Sequence, residues 1–147
     1  LKERFSLPEL VQDVFQKMAL TAQAREQQLE LDIAPNLPMI EADLGMIERV
    51  ITNLIVNALR HTPEQGSVGV RLWQEAGRVM VRVSDTGPGV PEALKATLFL
   101  RPSLLNHQRL TSGGLGLMIV RQMLQLHGSD IRLREGPGAS FEFGFQV

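Results

Sequence analysis

The sequence predicts an α+β fold, a two-layer sandwich of a mixed, mainly antiparallel sheet with three longer helices on one face. Three observations predict it. Apolar residues recur at helical spacing in three separate stretches, and runs that alternate with period two lie between and after them. The strand-like runs also come as adjacent pairs broken by helices, not in strict strand-helix alternation.

The first helix opens at Ser6, which has capping-box spacing to Glu9, with Phe5 and Leu10 placed as a hydrophobic staple. Leu7, Leu10, Val11, Val14, Phe15 and Met18 give it one apolar face. Leu29, Leu31 and Ile33 alternate with Glu30 and Asp32 as a half-buried strand, which Pro35 to Pro38 ends. Asp43 is the expected N-cap of a second helix, with Leu44, Ile47, Ile51, Leu54, Ile55, Ala58 and Leu59 as its buried stripe and Thr62-Pro63 as its stop. Val68, Val70 and Leu72, then Val79, Val81 and Val83, predict two strands around an Ala76-Gly77 turn. A loop over Asp85 to Gly89 and a short helix from about Pro91 to Leu98 follow. Leu100 to Gly113 has no clean period and is expected to be a mobile segment. A third long helix runs from about Leu115 to His127, with Gly128 ending it. Two strands close the chain around Gly136-Pro137-Gly138, with Phe141, Phe143 and Phe145 on one face of the last.

Composition narrows the function classes. At 147 residues, 44% hydrophobic and 21% charged, the chain suits one ordinary globular domain. A net charge of −1 argues against a broad nucleic-acid surface. Without cysteine there is neither a disulfide frame nor a thiolate metal site, which suits a reducing cytoplasm. His61, His107 and His127 are too scattered for a zinc cluster. No apolar run reaches the roughly 18 residues that span a bilayer, so no direct membrane contact is expected from this chain. Leu1 to Arg4 reads as the end of a linker (residues 1–5), and the chain is expected to be a single domain cut from a longer protein.

Three elements carry chemistry. Asn53 and Asn57 stand four residues apart in an otherwise apolar helix, and Arg60 and His61 continue that face. One such asparagine alone reads as a surface or hydrogen-bonded core residue; four polar groups on one face line a wall. Asp85-Thr86-Gly87-Pro88-Gly89 follows a strand directly. Gly-Pro-Gly alone is a turn, but a carboxylate at a strand's end can accept from an exocyclic amine, and the glycines admit a flat ligand. Gly113 to Leu117 lies where a helix starts, a place suited to phosphate; alone, its glycines equally suit close helix packing.

In this order, the three elements resemble the asparagine box (Asn53 to Thr62) and the two glycine boxes (Asp85 to Gly89, Gly114 to Leu117) of sensor histidine kinase catalytic domains. These belong to the ATP-binding superfamily shared with gyrase, the heat-shock chaperone of ninety kilodaltons and the mismatch-repair ATPases. Val120, His127-Gly128, Gly138 before Phe141, and the opening around Phe5 to Val11 continue the pattern, so the likeness covers nearly the whole chain.

The resemblance implies ATP and Mg2+ as cofactors. It implies that Asn57 ligates the magnesium, that Arg60 contacts phosphate, that His61 lies against adenine and that Asp85 accepts from its amino group. Gly87 and Gly89 would shape the pocket, and Gly114, Leu115 and Gly116 would offer backbone N–H groups to phosphates. Residues 100–113 would form the ATP lid, with Arg101 or Arg109 reaching the terminal phosphate, against the plainer reading of solvated charge. Ala139 stands where a threonine near adenine is common, with Ser140 beside it as the expected pocket hydroxyl. Phe99 fits the first of two phenylalanines bracketing the lid, Pro102 stands at the second, and Ser112 replaces a leading glycine.

The ATPase branches carry glutamate four residues before the magnesium asparagine, where this chain has Asn53. An amide has no proton affinity useful for activating water. The implied reaction is therefore transfer of the terminal phosphoryl to a histidine on a separate helical dimerisation domain, in two-component signalling. The implied partners are that upstream phosphoacceptor domain, a second subunit in a full-length homodimer, and a response regulator. The implied location is cytoplasmic, as part of an inner-membrane sensor. Two other readings stay open: a serine kinase or ATPase of the same superfamily, and a degenerate nucleotide-sensing or docking module, which the lid departures favour.

Overall fold

Ser6 caps the first helix, as its spacing predicts: its hydroxyl accepts from the Glu9 N–H at 3.4 Å. The computed structural model describes residues 1–95, 114–134 and 136–147. Along the chain these form β1 (Glu3–Phe5), α1 (Leu7–Ala24), β2 (Gln28–Ile33), β3 (Ile40–Ala42), α2 (Leu44–His61), β4 (Ser67–Glu75) and β5 (Arg78–Asp85), then α3 (Glu92–Lys95), α4 (Gly114–Gln125), β6 (Arg132–Leu133) and β7 (Ser140–Gln146). The expected lid at 100–113, with Phe99, Arg101, Pro102, Arg109 and Ser112, lies outside the described residues, as does the end of the expected short helix.

The main sheet has the order β2-β4-β5-β7-β6. Only β2 and β4 are parallel; the other three pairings are antiparallel, giving the mixed sheet the sequence predicts. Ala76 and Gly77 turn β4 into β5 with φ of 50° and 75°, the left-handed pair a two-residue hairpin requires. Two strands are additions. Residues 3–5, expected to be the end of a linker, pair antiparallel with Ile40–Ala42 in a separate two-stranded sheet. Three-residue segments give no usable period, so neither strand is readable from pattern.

The helices α1, α2 and α4 pack together, with α2 central and against the sheet. Val50 joins Ile47, Ile51, Leu54, Ile55, Ala58 and Leu59 in the buried stripe of α2. Leu44, expected in that stripe, is 37% exposed. Leu117, Val120 and Leu124 of α4 close the layer, and Phe141, Phe143 and Phe145 meet it from the sheet. No helix among the described residues is long and apolar enough to cross a membrane.

Both ends of the helix layer are pinned. Asp43 accepts from the Met46 N–H at 3.0 Å as the N-cap of α2. The His127 Nε2 accepts the Asp43 N–H at 3.0 Å, while its Nδ1 lies 2.8 Å from the Met123 carbonyl. The expected cap at the end of α4 thus also ties α4 to the start of α2. Gly128 turns the chain with φ 68°.

The outer face of the sheet is polar. Asp32, Arg71, Arg82, Glu142 and Arg132 stand opposite one another across all five strands. Arg82 donates to the buried Glu142 carboxylate at 2.8 and 3.1 Å, and the guanidiniums of Arg71 and Arg82 lie 4.8 and 5.0 Å from the Trp73 ring centre.

Ile51→Ala removes a fully buried side chain from the centre of α2 and should lower unfolding stability by about 2–5 kcal/mol in urea denaturation. The Asp43 carboxyl is held below the usual range, chiefly by the Met46 N–H. A lowered folded-state value means stability present above the ordinary carboxylate range and lost as pH falls through the folded value. Asp43→Ala should therefore lower the melting temperature at pH 7, with the difference shrinking toward zero below that range.

Candidate functional site

The site begins where β5 ends. Asp85 is buried, and its Oδ1 accepts two backbone N–H groups, from Gly87 at 2.9 Å and from Ala139 at 3.3 Å. The first is a local turn closed by the carboxylate; the second ties β5 to the strand beside it. Oδ2 has no hydrogen-bond partner among the described residues, so the carboxylate keeps an acceptor to offer.

Glycine at two positions lets backbone segments meet. A Cβ on Gly87 would collide with the His61 carbonyl at the end of α2, and one on Gly138 would collide with the Asp85 carbonyl. Gly89, with φ 82°, lies against Gly138. His61, Asp85, Gly87, Gly89 and Gly138 thus form one backbone cluster, seating the loop after β5 between the end of α2 and the turn before β7.

α2 adds its polar stripe. Asn57 is 9% exposed and has no hydrogen-bond partner among the described residues. Asn53, one turn earlier, is half-buried, while Arg60 and His61 are exposed. Arg60 has no ion-pair or hydrogen-bond partner among the described residues. Glu48, the acid upstream on the same helix, instead faces α1, pairing with Lys17 at 3.3 Å.

α4 is described from Gly114, so Gly114, Leu115 and Gly116 stand at the N-terminal end of its described residues. A Cβ added at Gly116 meets no described residue within 4 Å, so tight packing among the described residues does not explain that glycine.

One expected site residue is misplaced. Ser140 was expected as the pocket hydroxyl, but its Oγ lies 2.8 Å from the Ser84 Oγ on the outer face of the sheet. The cause is strand alternation: Ala139 and Phe141 face the helices, so Ser140 between them faces away. What Asp85 receives from this strand is the Ala139 backbone N–H.

Pattern reading missed two positions. Gly66 stands where a Cβ would meet Thr62 Cγ2 at 2.6 Å and Thr86 Oγ1 at 2.8 Å, packing the loop after α2 against the loop after β5. Gln27 is buried, and its Nε2 donates to the carbonyls of Leu59 and Thr62 at the end of α2. A side chain 32 residues upstream of its partner leaves no local signal.

Comparison with known proteins agrees with this arrangement. Residues 42–147 match the model of the family described as histidine kinase-, DNA gyrase B-, and HSP90-like ATPase. The alginate biosynthesis sensor protein KinB of Pseudomonas aeruginosa is 34% identical over 137 residues, 93% of this chain and 23% of that protein. The adaptive-response sensory kinase SasA of Synechococcus sp. (strain JA-3-3Ab) is 35% identical over 145 residues, 96% of this chain and 38% of that protein. The chain thus spans well under half the length of these relatives. Among solved structures, the catalytic domain of histidine kinase ThkA superposes with a TM-score of 0.86 at 27% identity, covering 99% of this chain and 95% of that one. ThkA in complex with the response regulator TrrA gives 0.83 at 26%, covering 99% and 41%, and full-length ShkA in complex with AMPPNP gives 0.84 at 27%, covering 98% and 30%. Architecture, ordered boxes and relatives agree: this chain belongs to the histidine kinase-, DNA gyrase B- and HSP90-like ATPase family, as a catalytic domain of the sensor histidine kinase type.

Proposed function

We propose that this domain binds ATP with Mg2+ at the cluster around Asn57 and Asp85 and donates the terminal phosphoryl group to a histidine on a separate helical domain. The observation that carries the proposal is Asn57. Its amide stands nearly buried in the apolar stripe of α2 with no hydrogen-bond partner among the described residues, so its oxygen is available to a ligand.

The other groups suit the same ligand. The spare Asp85 oxygen can accept from the exocyclic amine of adenine, and the bare Gly87 and Gly138 backbones let the segments that hold that carboxylate close on one another. The N–H groups at the start of α4 suit phosphate, and Arg60, without an ion-pair partner among the described residues, adds positive charge. Mg2+ retains several waters and needs few protein ligands beyond substrate phosphates, so one amide oxygen from Asn57 suffices. When bound, the ion supplies neutralisation of phosphate charge.

Transfer is favoured over hydrolysis because the described residues offer no base on the α2 face beside Asn57. Asn53 cannot take a proton near neutral pH, and Glu48 is turned toward Lys17. What remains is positioning and charge stabilisation, with the nucleophile brought from elsewhere. The ThkA complex with a response regulator and the ShkA complex with AMPPNP support the nucleotide and the signalling context by analogy. The upstream phosphoacceptor domain, homodimeric parent and response regulator are part of the proposal.

Calorimetric titration with ADP and ATP, with and without magnesium, tests the site. The unmodified chain should bind more tightly with magnesium, and Asn57→Ala should abolish that gain. Asp85→Ala should weaken nucleotide by about 10–100-fold, the value of a hydrogen bond to a charged group. Absence of binding by folded protein would favour a docking module instead. Given ATP labelled on its terminal phosphate, the chain alone should acquire no label, and an added phosphoacceptor domain should become labelled; sustained labelling of the chain alone would overturn the transfer reading.

A further inference from the structure

We infer that Gln27 is a positioning residue for the adenine end of the nucleotide site, acting through the C-terminus of α2. The inference rests on the site proposed above and concerns what holds it in shape.

A helix ends with four carbonyls that lack intrahelical partners. At the end of α2 no glycine cap takes them, because the chain turns extended at Thr62 and continues into Pro63, which has no N–H. The Thr62 N–H reaches only the Leu59 carbonyl, at a long 3.4 Å, and two side chains add to it. The Thr62 hydroxyl donates to the Ala58 carbonyl at 2.7 Å. Gln27 Nε2 donates to the Leu59 carbonyl at 2.8 Å and also to the Thr62 carbonyl, so one amide spans the last turn. Backbone bonds fix Gln27 on both sides: the Glu26 carbonyl accepts from the Gln65 N–H at 2.8 Å, and the Gln28 N–H donates to the Gly66 carbonyl at 2.9 Å.

The consequence reaches the site by contact. Between the two carbonyls held by Gln27 lies His61, whose own carbonyl occupies the space beside Gly87. Gly87 in turn donates to Asp85 Oδ1. Releasing the last turn of α2 therefore shifts the surface against which the Asp85 loop is seated. Gln27 also carries a cost: its Oε1 is buried without a partner among the described residues. An amide half satisfied in this way is a poor choice for stability alone, but it supplies the two donors this helix end requires. Asn57, the proposed magnesium ligand, and the start of α4 lie outside this chain of contacts.

The test compares Gln27→Leu and Gln27→Glu with the unmodified chain, titrating adenosine and ADP below the melting temperature. Gln27→Leu, which keeps the bulk and loses both donors, should weaken adenosine and ADP alike by about tenfold, leaving the magnesium-dependent gain for ADP unchanged. Gln27→Glu should bind weakly at pH 8, where a carboxylate faces two carbonyls, and recover toward pH 5.5, where the protonated acid can donate. The unmodified chain, read in parallel, supplies the pH baseline. A structural role alone would lower the melting temperature without altering the affinity of folded molecules. Folded Gln27→Leu with normal adenosine affinity would overturn the inference, as would a Gln27→Glu affinity that follows the baseline across pH. If Gln27→Leu fails to fold, the Gln27→Glu profile decides. Failure of the unmodified chain to bind any adenine compound would instead remove the nucleotide site itself, and Gln27's role with it.

Discussion

The Asp85 carbonyl lies where a Cβ on Gly138 would stand, and the His61 carbonyl lies where one on Gly87 would stand. Three chain segments from distant parts of the sequence are thereby brought backbone to backbone: the end of α2, the loop after β5 and the turn before β7. The Asp85 end of the site depends on that approach. Asp85 can accept from Gly87 and Ala139 together only because both N–H groups are carried close to one oxygen. Side chains at these two glycines would force the segments apart and return the carboxylate to water.

α2 bears the opposing demand. It is the central helix of the layer, and its stripe from Ile47 to Leu59 must be dry. Yet Asn57 sits among those residues, nearly as buried, with its amide unspent. A core designed only for stability would place an apolar side chain there. The conflict between local packing and a polar group without a partner among the described residues is what singles out Asn57 for the proposed binding role.

Much of this was legible in the residues. Helical and alternating periods located the three long helices and the main strands, and cap chemistry located Ser6 and Asp43, because both signals are local. The boxes were legible through their order, although a single glycine cluster has several meanings. The Ser140 expectation failed on a point that alternation itself could have corrected: with Phe141 and Phe143 inward, Ser140 must face outward. β1 and β3 are too short to carry a period. Gln27 was invisible for another reason, since its partners are two backbone carbonyls, and a carbonyl is the same at every residue.

The polar ladder on the far side of the sheet has an optical consequence. Trp73 is the chain's only tryptophan, and it sits on that outer face, between the Arg71 and Arg82 guanidiniums. The five-stranded sheet separates it from Asp85 and Asn57. Its intrinsic emission is therefore a reporter of sheet integrity and of the Arg82–Glu142 pairing, insulated from whatever occupies the opposite side. Unfolding and ligand occupancy can thus be followed in one sample through independent signals.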